Sequence, residues 1–335
     1  MINSIYHPES ERYTRGMKFR RCGKSGILLP EISLGLWHNF GDVDTLAESR
    51  KKIFFAFDHG ITHFDLANNY GPSYGSAEET FGIIMKDSLR PYRDELLIST
   101  KAGHDMWPGP YGEWGSRKYL MASLDQSLKR MNLDYVDIFY SHRYDPNTPL
   151  EETMQTLFDI VKQGKALYVG ISKYPELEAA KAYRYLKERD VHCLLYQGKY
   201  NIFEREPERD NILAEAKENG VGFIAFSPLA QGLLTSRYLN GIPSDSRVAR
   251  GGYLKKESLT DDTLNKIRKL NVLASQRNQT LAQLSLAWCL KNSDVCSVIV
   301  GASGVSQLED SLKAIENTSF TETELIEITK IAEGK

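Results

Sequence analysis

Short apolar runs alternate with longer helical patterns eight times between Ile32 and Ile315, within about 280 residues. The runs are Ile32–Leu36, Ile61–Asp65, Leu96–Thr100, Val136–Tyr140, Ala166–Ser172, Cys193–Gln197, Val221–Phe226 and Val295–Val300. Helical patterns follow near 44–59, 76–86, 116–131, 151–162, 176–189, 210–219, 263–275 with 281–290, and 306–315. Continuous apolar strands are buried on both faces. Strict β/α alternation demands parallel strands joined by right-handed crossovers. Gly60, Gly164 and Gly220 each follow a helical pattern, where a C-cap glycine belongs. Eight repeats fit a closed barrel, and the doubly wound alternative is missing its signature. No GxGxxG follows the first strand, and no phosphate-binding loop occurs. The expected fold is an α/β (β/α)8 TIM barrel.

Two stretches exceed the minimal repeat. MKFRRCGKSGILLP, Met17 to Pro30, reads as a β-hairpin across the barrel bottom. Ser227–Asp262, after the seventh strand, is long and rich in Gly and Ser. In a barrel it leaves the C-terminal face, so it is expected to cover a bound ligand. Length alone allows two or three domains, but a barrel of about 250 residues forms one. A single domain is therefore expected over residues 1–335, its core at about 17–313.

Forty-two Lys and Arg against 44 Asp and Glu leave a net charge of −2, which gives no reason to expect nucleic acid. No apolar run approaches the roughly 20 residues of a membrane span. The polar start MINSIYHPESERYTRG resembles no secretory signal. Cys22, Cys193, Cys289 and Cys296 lie far apart without metal-ligand spacing, so no metal site is expected. These features point to a cytoplasmic protein.

Ionisable groups at the C-terminal ends of barrel strands are the first candidates for chemistry. Asp65 ends the second strand and Tyr70 follows in its loop. Lys101 ends the third strand and His142 the fourth. Singly, each is an ordinary loop residue; on three consecutive strands they converge. A phenol with a pKa of about 10 is too weak an acid at neutral pH, and an adjacent ammonium lowers that value. Lys101 would supply that charge and Asp65 would hold it. His142 would align a carbonyl oxygen with Tyr70. Such a set protonates an oxygen as negative charge builds on it, and the fitting partner reaction is hydride addition to a carbonyl. A Schiff-base aldolase using Lys101 is the rival chemistry.

At these residues the chain resembles the aldo-keto reductases, (β/α)8 barrels that reduce aldehydes and ketones with NADPH. SLGLWHNFG (Ser33–Gly41), THFDLANNYGP (Thr62–Pro72), KAGHDMWPGPYG (Lys101–Gly112) and PLAQGLLTSRYLNGIP (Pro228–Pro243) carry the likeness. They look closest to the branch of bacterial L-glyceraldehyde 3-phosphate reductases and potassium-channel β subunits. The resemblance makes Asp65, Tyr70, Lys101 and His142 the catalytic four, with Tyr70 as general acid. It places Trp37, Asp65, Ser172, Gln197, Phe226, Ser227, Pro228, Leu229 and Gln231 along the nicotinamide and pyrophosphate. Arg237 and Arg247 would clasp phosphate, with the long loop covering the cofactor. Gly301, Ser303, Gln307 and Asp310 would hold the adenosine end, where a helix opens.

For the substrate the same comparison implies small aldehydes, such as glyceraldehyde 3-phosphate or methylglyoxal. Trp37, Tyr70, Trp107, Tyr111 and His142 would wall that pocket, and Arg143 would attract a phosphate. Lys173 stands where many relatives have Asn, and Gly304 where relatives often place an Arg against the 2′-phosphate; Asp310–Ser311 replaces a usual Glu–Asn. NADP is the expected cofactor, with NAD left open, and so is homo-oligomerisation. A nucleotide-binding regulatory subunit is the non-enzymatic alternative. His142 speaks against it, because the channel subunits are expected to carry Asn there.

Overall fold

The computed structural model describes residues 6–239, 241 and 256–335. Among the described residues ten strands form two sheets. A short antiparallel hairpin pairs β1 (Phe19–Arg21) with β2 (Leu28–Pro30), Arg20 facing Leu29. The other eight, all parallel, close into a barrel in chain order: β3 (Ile32–Gly35), β4 (His63–Asp65), β5 (Leu97–Ala102), β6 (Val136–Ser141), β7 (Ala166–Ser172), β8 (Cys193–Lys199), β9 (Gly222–Phe226) and β10 (Val295–Val300), which returns to β3. This is the expected (β/α)8 architecture with its N-terminal hairpin.

The helices form where the apolar spacing placed them, and their ends are chemically marked. Ser116 caps Arg117–Met131 by accepting from the Tyr119 amide, and Thr280 with Gln283 forms a capping box on Leu281–Leu290. Gly60, Gly164 and Gly220 all adopt left-handed φ, +80°, +71° and +72°, so each chain reversal into a strand uses a conformation costly for other residues. A further helix, Glu322–Glu333, lies beyond the eighth repeat and packs Ile328 and Ile331 inward.

The hairpin closes the N-terminal end of the barrel. Cys22 and Leu29 are buried with Ile138, Leu195, Ile224 and Cys296 in one apolar cluster. The amide of Lys24 bonds the carbonyl of Gly220 just before β9. At Gly23 a side chain would meet that same carbonyl at 2.0 Å, so the plug approaches the barrel backbone to backbone. All four cysteines are buried free thiols.

With the floor sealed, access remains at the C-terminal mouth. There β9 leads into two short 3-10 turns, Ala230–Gly232 and Ser236–Tyr238, and the chain resumes at Lys256–Ser258. Of the expected ligand cover, residues 240 and 242–255 lie outside the described residues. Among those described, no helix is long and apolar enough to cross a membrane.

Candidate functional site

Strand periodicity decides which side chains meet inside the barrel, because residues two apart share a face. His63 and Asp65 on β4 therefore point inward together, as do Ser99 and Lys101 on β5, and Asp65 pairs in register with Ser99. Lys101 is fully buried, and its ammonium donates to Asp65 Oδ2 at 2.7 Å and to the Leu66 carbonyl at 2.5 Å. Asp65 Oδ1 accepts from Ser99 Oγ at 2.8 Å and Gln197 Nε2 at 3.1 Å. Behind Ser99 a buried polar chain runs down the barrel. His63 Nε2 lies 3.0 Å from Ser99 Oγ, His63 Nδ1 lies 2.8 Å from Ser33 Oγ, and Ser33 lies 2.6 Å from Ser297 Oγ. Buried polar groups are costly unless paired, and here each member holds the next.

Tyr70 leans over this pair. The Lys101 ammonium sits 4.8 Å from its ring centroid, Trp37 stands 6.2 Å away, and His142 meets it edge-on at 5.9 Å. The four strand-end residues picked from sequence are thus gathered at one place. Their electrostatics differ from the sequence expectation in one respect. Burial, reinforced by the Asp65 carboxylate, raises the Tyr70 phenol well above its ordinary value. The Lys101 ammonium near its ring, with Asp65 beside it, does not outweigh that burial. Burial pulls the Lys101 ammonium down, and Asp65 opposes that. Burial, then the cations of Lys101, Lys173 and Arg143 and the neighbouring His104, hold His142 well below its usual 6.5. His142 is therefore a neutral imidazole, and its buried Nδ1 has no hydrogen-bond partner.

Beside these groups lie the residues expected at the cofactor. Ser172 and Gln197 pair in register at the ends of β7 and β8, both buried, and the Ser172 hydroxyl is an orphan. A buried hydroxyl without a partner is costly and suits an incoming amide. After β9, Ser227, Ala230 and Gln231 all adopt left-handed φ between +46° and +59°. Such clustered strain in non-glycine residues marks functional turns. Phe226, Leu229 and Gln231 are half-buried and Pro228 is buried. A cavity of about 390 Å³ opens alongside, lined in part by Lys199, Phe203, Gln231 and Lys266. At the helix after β10, Val305–Leu312, Gln307 Oε1 accepts from the Ser303 amide at 2.9 Å, with Gly301 exposed nearby. Asp310 accepts from Gln283 Nε2 at 2.6 Å, tying two helices together. Arg237 is half-buried. Arg247 lies outside the described residues.

The substrate-end expectations divide. Trp37 belongs to the cluster. Trp107 packs against Tyr119 at 5.1 Å, while Tyr111 is 56% exposed with Lys118 over its ring. The guanidinium of Arg143 is engaged by the Gly103 carbonyl, by Glu113 and by the Trp114 ring 3.5 Å away. Sequence reasoning passed over His63, Ser99 and His104. Alternation marks the first two, two positions before Asp65 and Lys101. His104 joins the site only through folding of the loop after β5: its ring stands 4.5 Å from that of His142, edge to face. Among the described residues no group of His, Cys, Asp or Glu is arranged to hold a metal ion.

Comparison with known proteins sharpens this picture. The profile of the "Aldo/keto reductase family" matches residues 31–333. The chain is 55% identical over 336 residues to an L-glyceraldehyde 3-phosphate reductase of Escherichia coli (strain K12), covering 99% of this chain and 97% of that protein. It is 37% identical over 306 residues to a probable voltage-gated potassium channel subunit beta of Arabidopsis thaliana, covering 90% and 92%. A rice protein of the same description is 36% identical over 317 residues, covering 93% and 95%.

Proposed function

The chain belongs to the aldo/keto reductase family and is an oxidoreductase; from that premise we propose that it reduces small aldehydes with NADPH, with Tyr70 as the proton donor. The observation that carries the proposal is the buried Asp65–Lys101 pair beneath a phenol that faces a neutral imidazole. When bound, a reduced nicotinamide supplies hydride to the carbonyl carbon and is itself oxidised. Ser172 and Gln197 fit its carboxamide, through the orphaned hydroxyl of the first. The strained turn at Ser227–Gln231, together with Trp37, Phe226, Pro228, Leu229, Arg237 and Arg247, is assigned to the rest of the nucleotide. Gly301, Ser303, Gln307 and Asp310 are assigned to its adenosine end. Preference for NADPH rests on Arg237 and Arg247.

The chain's own residues then manage one proton. His142, kept uncharged, donates an N–H to the carbonyl oxygen without releasing a proton to it. Tyr70, its phenol raised, stays protonated at neutral pH until negative charge arrives on that oxygen. An alkoxide is more basic than a phenolate, so the proton then moves downhill from the Tyr70 hydroxyl. Lys101, held by Asp65 and Leu66, stabilises the phenolate left behind. The product is the primary alcohol. A Schiff-base role for Lys101 fits poorly, because its ammonium is buried in two strong hydrogen bonds, one to a carboxylate, and a protonated amine is no nucleophile. The name of the 55%-identical relative supports glyceraldehyde 3-phosphate as substrate, with methylglyoxal in the same class of small aldehydes.

Tyr70→Phe tests the reading. Removing the hydroxyl is expected to lower kcat by about 10²- to 10⁴-fold, while NADPH binding, followed by its fluorescence, stays as in the parent. Near-parental turnover would remove Tyr70 as the donor.

A further inference from the structure

Lys173 follows the last residue of β7 and holds a left-handed backbone, φ +56°, a region sparsely populated by long side chains. From there its ammonium reaches across the mouth to within 3.2 Å of His104 Nε2 and 5.4 Å of the Phe226 ring. His104 is buttressed from beneath. Its carbonyl accepts from the Tyr119 hydroxyl, that hydroxyl accepts from Asn68 Nδ2 at 2.8 Å, and the Asn68 amide bonds the Lys101 carbonyl at 2.9 Å. Asn68 and Tyr119 are fully buried. The imidazole that orients Lys173 is therefore fixed to the same strand that carries Lys101.

Charge completes the pattern. Burial and the surrounding cations lower His104 to about 4, so at neutral pH its ring nitrogen accepts from the ammonium. Lys173 is lowered to about 8 by burial and by Lys101, Arg143 and Lys199, which leaves it mostly charged at pH 7. The other cations at the mouth have carboxylates of their own: Lys101 has Asp65, Arg143 has Glu113 and Lys199 has Glu204. Among the described residues, no carboxylate lies within ion-pair distance of Lys173. An ammonium has three donors; the neutral imidazole takes one, and the partly exposed side chain keeps the others accessible.

We propose that Lys173, oriented by His104, is an anion subsite that selects aldehydes carrying a phosphate monoester. This rests on the reading above, that the carbonyl is held between Tyr70 and His142. One imidazole separates His142 from the ammonium, its ring 4.5 Å from His142 and its nitrogen 3.2 Å from Lys173. Both thus border one ring, within the reach of a short aldehyde that carries its phosphate at the far end. The subsite falls to Lys173 rather than to Arg143, whose guanidinium is already engaged.

The test compares racemic glyceraldehyde 3-phosphate with glyceraldehyde, the same carbon skeleton without the phosphate. Lys173→Met is expected to lower kcat/KM for the phosphate ester about 10- to 100-fold more than for glyceraldehyde, the range for a hydrogen bond to a charged group. Lys173→Arg should restore most of the difference, and His104→Phe should give a smaller loss of the same sign. Equal losses with both aldehydes, no loss with either, or a loss that follows the KM for NADPH would overturn the subsite while leaving the reductase intact. If the parent protein turned over neither aldehyde, the underlying reading would fail, and this one with it.

Discussion

Thr100 and Lys101 are neighbours on β5 and point in opposite directions, and each meets a buried ion pair. Outside the barrel, Thr100 Oγ1 donates to Glu78 Oε1 at 2.5 Å, and Arg130 Nε donates to Glu78 Oε2 at 2.8 Å. Inside, Lys101 meets Asp65. Both carboxylates are almost wholly buried, yet the two arrangements differ in what they leave over. The outer pair joins the helices Ser76–Ile84 and Arg117–Met131 to the strand between them, and both Glu78 oxygens are occupied. On the inner side Asp65 and the Leu66 carbonyl take two of the three Lys101 donors, and the ammonium stays under the Tyr70 ring. One strand thus uses the same electrostatics twice, once as cement between layers and once as a charge beside the hydroxyl proposed to donate the proton.

The widest gap between the two should come from breaking each pair. Lys101→Met strands Asp65 and should cost about 3–5 kcal/mol of stability, measured by denaturant titration, together with about 10²- to 10⁴-fold in kcat. Adding Asp65→Asn should return much of the stability and none of the activity. Glu78→Gln should cost stability toward the lower end of the same range, while kcat per folded molecule stays near the parent value. An equal collapse of kcat in Glu78→Gln would erase the distinction.

Acid should expose the inner face next. Burial lowers His63 to about 4 and His104 to about 4, with His142 also well below 6.5. The unfolded chain therefore binds protons that the folded chain refuses. Their stabilisation is complete above about pH 6.5 and is lost as pH falls toward 4, with His63 alone accounting for on the order of 3 kcal/mol. Tm measured across that window should fall with pH, and His63→Gln should flatten the slope. A flat profile in the parent would mean that these imidazoles are protonated in the folded state.

The finest test sets Ser99→Ala against Thr100→Val. Ser99→Ala removes one donor to Asp65 and should lower kcat several-fold, about 1–2 kcal/mol, without changing the KM for NADPH. Thr100→Val should leave kcat alone. Matching effects would mean that the direction a side chain faces has no bearing on the chemistry.

Much of this arrangement was legible before folding was considered. Asp65, Lys101 and His142 announce themselves by ending apolar runs, and barrel geometry brings such ends together. Strand and helix limits fall within a few residues of the hydrophobic pattern, as at Ala166–Ser172 and Leu281–Leu290. His63 and Ser99 were hidden because a polar residue inside an apolar run reads as noise unless the two-residue period is applied. The helix Glu322–Glu333 was missed although Thr321 and Glu324 form a capping box before it and Gly334 closes it. The raised Tyr70 phenol could not be read from spacing: sequence shows a cation next door, but burial and the adjacent Asp65 exist only in three dimensions. The meeting of His104 with Lys173 belongs to the same class, since they lie on loops after β5 and β7.

The sealing of every thiol inside the fold has a consequence for a protein proposed to reduce small aldehydes. Such compounds are electrophiles that readily form adducts with soft nucleophiles. Cys22 and Cys296 are shut beneath the hairpin, while Cys193 and Cys289 are buried elsewhere and pushed up to about 12 by that burial. Structural thiols buried in this way are inert. A reductase of the proposed kind thereby offers its aldehydes no exposed thiol to poison, which suits a catalyst that must survive what it consumes.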